Sequence, residues 1–119
     1  MRPADPRVLT AVFAGGCAGA LARAGVAELL PVEAGRWPWA TLVVNVLGSF
    51  ALGLLAARPG GTLRMPLLGA GFCGALTTFS ALQLELLQLL DAGRAGVALV
   101  YAAVTLGAGV AAVRLGAGP

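Results

Sequence analysis

The sequence has no histidine and no lysine, and only five of its 119 residues are acidic. Without histidine there is no imidazole for a catalytic triad and no common nitrogen ligand for a transition metal. Its two cysteines, Cys17 and Cys73, fall in different predicted helices and form no CxxC pair. They read as small buried hydrophobes, so an enzyme is not expected. Charge of any kind is scarce: 11% of residues are charged and 59% hydrophobic, with a mean hydropathy of +0.91. A soluble domain carries roughly 25% charged residues, which leaves a membrane protein. The eight basic residues are all arginine and raise the pI to about 9.7. They are scattered among the connections instead of gathering on one face, and that excludes a nucleic-acid surface.

What remains is apolar sequence punctuated by arginine. The uncharged runs Arg36–Arg58 and Arg94–Arg114 each approximate the roughly 20 residues that a helix needs to cross hydrocarbon. The run from Arg64 to Asp91 holds only Glu85, and an opening run carries Arg23 and Glu28 toward its end. The pattern predicts a single all-α membrane domain over 1–119, with helices at about 8–30, 38–57, 65–90 and 95–114. Met1, Arg2 and Arg7 imitate a signal peptide, but the apolar run is too long and three more spans follow. The connections, about 31–38, 58–64 and 91–94, are too short for a catalytic domain.

Within the spans, polar and small residues recur at helical spacing. Gly15, Gly19 and Arg23 share one face, and the glycines read as a close helix-packing contact. Arg23 admits two readings, a snorkelling anchor or the positive lining of an anion vestibule. In the second helix Trp37 and Trp39 read as interfacial anchors, and Thr41, Asn45 and Ser49 form a polar stripe. Asn45 serves either as hydrogen-bonding glue between helices or as part of a polar track. Tyr101, Thr105 and Gly109 make a matching stripe on the fourth helix, and neither stripe carries a charge. The third helix, "GFCGALTTFSALQLE" (71–85), combines Gly71 and Gly74 with Thr77 and Thr78, residues that weaken a helix. It is expected to break near 74–78, where freed carbonyls could hold a cation. Glu85 is expected near a membrane interface.

Three segments, "GGCAGALAR" (15–23), "WATLVVNVLGSFALG" (39–53) and "GFCGALTTFS" (71–80), resemble the CrcB/Fluc family of fluoride channels, and with length and span count the resemblance covers nearly the whole chain. It implies an antiparallel, dual-topology dimer of four-helix subunits in the plasma membrane, exporting fluoride passively to relieve its toxicity. It further implies a structural sodium ion held by the backbone carbonyls of Gly74 and Thr77. Asn45 and Phe79 fall on the family's pore positions and Thr41 and Thr105 on its polar track, with Ser80, Tyr101 and the vestibule residue Arg23 completing the expected set. The family's second pore phenylalanine is Leu82 here.

Two other functions are compatible with four short spans. A small proton-coupled multidrug transporter needs a carboxylate in the middle of its first helix, where this chain has glycine and alanine. A non-conducting or half-functional partner subunit is compatible with Leu82. The arginines add a constraint: Arg2, Arg7, Arg58, Arg64 and Arg114 fall on the side of the termini, Arg36 and Arg94 on the other. By the positive-inside rule this favours cytoplasmic termini and one fixed orientation, as expected of one half of a heterodimer.

Overall fold

The structure, a computed structural model, describes residues 5–118. Helix α1 (Pro6–Leu29) opens at Asp5, whose carboxylate accepts from the Arg7 amide at 2.9 Å; Pro6 behind it supplies a fixed φ where no helical donor is needed. Helix α2 (Trp39–Ala57) follows a turn in which Gly35 adopts φ 83°, a left-handed conformation that glycine takes without steric cost. The third span, Met65–Asp91, is divided. Its first half, α3, winds as a π-helix over Met65–Cys73 and closes with the short α-helical turn Gly74–Leu76. Thr77 and Thr78 are extended, with ψ of 155° and 120°, and α4 (Phe79–Asp91) resumes the span. A cap at Gly93 (φ 76°), with the Arg94 amide on the Leu89 carbonyl at 2.8 Å, leads to α5 (Ala95–Ala117). The expected break near 74–78 thus narrows to two residues, and Gly74 itself is helical.

All four spans are long and apolar enough to cross a bilayer. Their packing is carried by glycine. A Cβ on Gly15 would strike the Leu67 carbonyl, and one on Gly19 the Phe72 carbonyl, so α1 and α3 touch backbone to backbone. On the opposite seam, Gly53 meets the Val113 carbonyl and Gly116 the Phe50 carbonyl, joining α2 to α5. Such close approach is how helices gain dispersion contacts where lipid removes the hydrophobic drive. Leu42, Leu82, Leu89, Ala98 and Tyr101 form the core between α2, α4 and α5. Large apolar side chains point outward instead: Phe13 and Leu115 are each 74% exposed. In water, leaving such side chains exposed forgoes about 1.5–3 kcal/mol each; against hydrocarbon it costs nothing.

Candidate functional site

The break is held open by a side chain from another span. A continuous helix would pass the Thr78 amide to the Gly74 carbonyl. Here that amide donates to Asn45 Oδ1 at 2.7 Å, while Asn45 Nδ2 donates to the Thr78 carbonyl at 3.1 Å. One carboxamide therefore satisfies both polar groups of one peptide residue, 33 positions away in the chain. The Ala81 amide goes to Thr78 Oγ1 at 3.2 Å and caps α4, so it too leaves the main-chain ladder. The Ala75 carbonyl, freed by the same interruption, accepts from Arg23 Nε at 3.1 Å. Gly48 makes room for the extended residues, because a Cβ there would overlap Thr77 Cγ2.

Of the two readings of Asn45, the contacts show the interhelical one: it clamps the break and keeps one of its two N–H groups in reserve. Glu85 accepts from Thr41 Oγ1 at 2.7 Å and from Tyr101 OH at 3.0 Å. The two stripes expected to be free of charge thus converge on a carboxylate. Thr41 is buried and Tyr101 entirely so, and each hydroxyl has a single proton to give. Trp37, expected as an anchor, is half-buried with its ring 5.3 Å from that of Tyr101 in an edge-on contact, whereas Trp39 is exposed.

Several of the other expected residues lie on an open-sided groove of about 780 Å³ beside the break. Its walls include Asn45, Ser49, Gly74, Thr77, Phe79 and Thr105. Phe79 is 70% exposed. Ser80 is exposed, with its hydroxyl 3.3 Å from Thr78 Oγ1. Leu82 borders the groove yet is packed in the subunit core. Arg23 stands on the α1 side of the break and does not line the groove. Glu85 was within reach of the sequence: Thr78, Leu82, Glu85 and Leu89 fall at i, i+4, i+7 and i+11, one face of a helix, and its leucines are buried.

The Gly74 and Thr77 carbonyls have lost the amides that a continuous helix would bring them, and both residues line the groove. Backbone oxygens freed in this way suit a small hard cation. Among the described residues no cluster of histidine, cysteine, aspartate or glutamate could hold a metal ion.

Comparison with known proteins identifies a family. Residues 10–117 match the family described as CrcB-like protein, Camphor Resistance (CrcB). The chain is 46% identical over 116 residues to fluoride-specific ion channel FluC 1 of Mycobacterium bovis, covering 93% of this chain and 88% of that protein. The FluC 1 channel of Mycobacterium tuberculosis gives the same figures. Fluoride-specific ion channel FluC 2 of Nocardia farcinica is 43% identical over 121 residues, with 98% of this chain and 86% of the relative covered.

Proposed function

The chain belongs to the CrcB-like family, and from that membership we infer that it is a fluoride-specific ion channel of the FluC type in the membrane, with no enzymatic activity. The observation that carries the mechanism is the break at Thr77–Thr78 and the donors around it. Fluoride is small and holds its water tightly, so a pore must offer hydrogen-bond donors in place of that water. The spare Asn45 N–H, the Ser49 and Thr105 hydroxyls and the electropositive ring edge of Phe79 offer them along the groove. Thr41 and Tyr101 continue the series, but their protons are engaged by Glu85. An anion passing there competes with the carboxylate for the same two hydrogens. Arg23, whose guanidinium keeps other N–H groups beyond the one on Ala75, supplies positive charge on the approach. Passive flow suffices for export, since a negative-inside potential drives an anion outward by about 2.3 kcal/mol per 100 mV.

The working unit is an antiparallel dimer. Irregular backbone at membrane depth persists only where protein or a cavity covers it, yet the break opens on a groove that nothing in the single chain closes. Residues 77–78 lie at the middle of the span Met65–Asp91, so a two-fold axis in the membrane plane brings break to break. A sodium ion held there by the Gly74 and Thr77 carbonyls would neutralise oxygens that face one another across the axis.

The test is efflux of fluoride from liposomes containing the purified chain, followed with a fluoride electrode. Efflux driven by a potassium diffusion potential at equal internal and external pH is the expected result. Efflux that needs a proton gradient would refute passive conduction and implicate Glu85 in proton exchange. No fluoride movement by the chain, alone or paired with a homologous subunit, would refute the channel.

A further inference from the structure

Among the described residues two buried side-chain polar atoms lack any hydrogen-bond partner, Trp37 Nε1 and Thr105 Oγ1. A buried donor without a partner costs about 1–3 kcal/mol, and such atoms in native structures are commonly met by a water or an ion. Both belong to neighbours of Tyr101. Thr105 follows it by one turn on α5 and lines the groove, and the Trp37 ring packs edge-on against it from the other side. Trp37 lies just ahead of α2, which begins at Trp39, and so stands beyond Thr41 toward the end of the bundle that carries Arg36 and Arg94. The Tyr101–Glu85–Thr41 cluster is therefore flanked on both sides by an unspent donor.

We propose that the Trp37 indole N–H is a fluoride-binding donor, the last protein group to hold the ion at the Arg36 and Arg94 end of the route. This rests on the fluoride-channel reading and adds a site to it. An indole N–H suits the position because it only donates: unlike the Thr41 and Tyr101 hydroxyls, it cannot be turned away by accepting another bond, and it has no proton engaged by Glu85. A small anion leaving Tyr101 finds a donor that it does not share with the carboxylate.

The chain has two tryptophans, so the full-length protein labelled with 15N-tryptophan and held in lipid nanodiscs should give two indole N–H resonances, which Trp37→Phe assigns. On titration with NaF the Trp37 resonance should shift saturably while that of exposed Trp39 stays in place, and NaCl at equal ionic strength should move neither. Trp37→Phe keeps a ring against Tyr101 and removes the donor, and its fluoride efflux should fall about tenfold, the loss expected for one hydrogen bond to a charged partner. An unmoved Trp37 resonance in a wild-type protein that conducts fluoride overturns the proposal, as does full efflux through Trp37→Phe. A wild-type protein that conducts no fluoride overturns the channel reading, and the proposal with it.

Discussion

Replacing Asn45 with leucine separates a pore role from a structural one, because the two predict different companions for lost conduction. Leucine matches asparagine in bulk but removes both bonds to Thr78, at 2.7 and 3.1 Å. The Thr78 carbonyl, at the N-cap of α4, still accepts the first amide of that helix, so its loss is the ordinary net value of one bond, about 0.5–1.5 kcal/mol. The Thr78 amide has no alternative acceptor at this depth and is left unsatisfied, at about 1–3 kcal/mol. Together they make a destabilisation of roughly 2–4 kcal/mol, concentrated where α3 meets α4. Asn45→Leu should therefore abolish fluoride efflux and also lower the melting temperature of the purified protein. Amide hydrogen exchange at residues 77–80 should accelerate, while α1 and α5 stay protected. Full efflux would sink the pore role. Lost efflux with an unchanged melting temperature and unchanged exchange at Thr78 would show that the clamp contributes nothing to the break, and that Asn45 acts only on the ion.

Three further predictions follow from neighbouring contacts. Gly48→Ala places a methyl on Thr77 Cγ2 and should destabilise by about 1–3 kcal/mol, the range for overpacking; adding Thr77→Ser, which removes that Cγ2 and keeps the hydroxyl on the Cys73 carbonyl, should restore melting temperature and efflux, and failure to restore would place the damage elsewhere. Glu85→Leu leaves the Thr41 and Tyr101 hydroxyls without their acceptor, at about 1–3 kcal/mol each, whereas Glu85→Gln keeps one acceptor oxygen; thermal stability should rank wild type, then Gln, then Leu, and a Leu variant as stable as wild type would contradict the contacts. Expressed alone, the chain should insert with its termini in the cytoplasm, as read by cysteine labelling from either side of the membrane, and equal labelling from both sides would show that the arginine bias does not set orientation.

The spans were legible because hydrocarbon thickness and the cost of buried charge write themselves into the spacing of arginines. The seams at Gly15, Gly19, Gly53 and Gly116 follow a rule almost as simple, since only glycine lets backbones touch. The break was legible in kind but not in place. Gly71 and Gly74 point to weakness, yet Gly71 is absorbed into a π-helix in close contact with α1, Gly74 opens a helical turn, and the chain leaves helical geometry only at Thr77 and Thr78. Asn45 meets the break with both halves of its carboxamide, and no local pattern says which distant peptide a carboxamide will meet. The partners of Glu85, the hydroxyls of Thr41 and Tyr101 on facing helices, are hidden from its own segment for the same reason.

Charge and break together bear on which chain completes the proposed dimer. Arg7, Arg58, Arg64 and Arg114 lie at the end of the bundle that holds the termini, and Arg2 lies outside the described residues but on the same side in sequence. Arg36 and Arg94 lie at the other end, with Glu28, Glu33 and Asp91. Arg36 is moreover paired with Glu33 at 3.2 Å, which weakens its pull as a topological signal. A chain meant to insert both ways has no use for such a bias, because every arginine retained on the outer side opposes half of the insertions. The break at mid-span imposes the opposite demand: its carbonyls are covered symmetrically only by a subunit running the other way. Both demands are met if the second subunit is a homologue with the reverse charge bias, and Leu82 then has a place. It is packed in the core of its own subunit and borders the groove, where a flexible aliphatic side chain leaves room that a partner's aromatic ring could fill. A homodimer satisfies the break but not the arginines. The heterodimer satisfies both, and efflux that rises when the chain is reconstituted with such a homologue, above the sum of the two alone, is what distinguishes it.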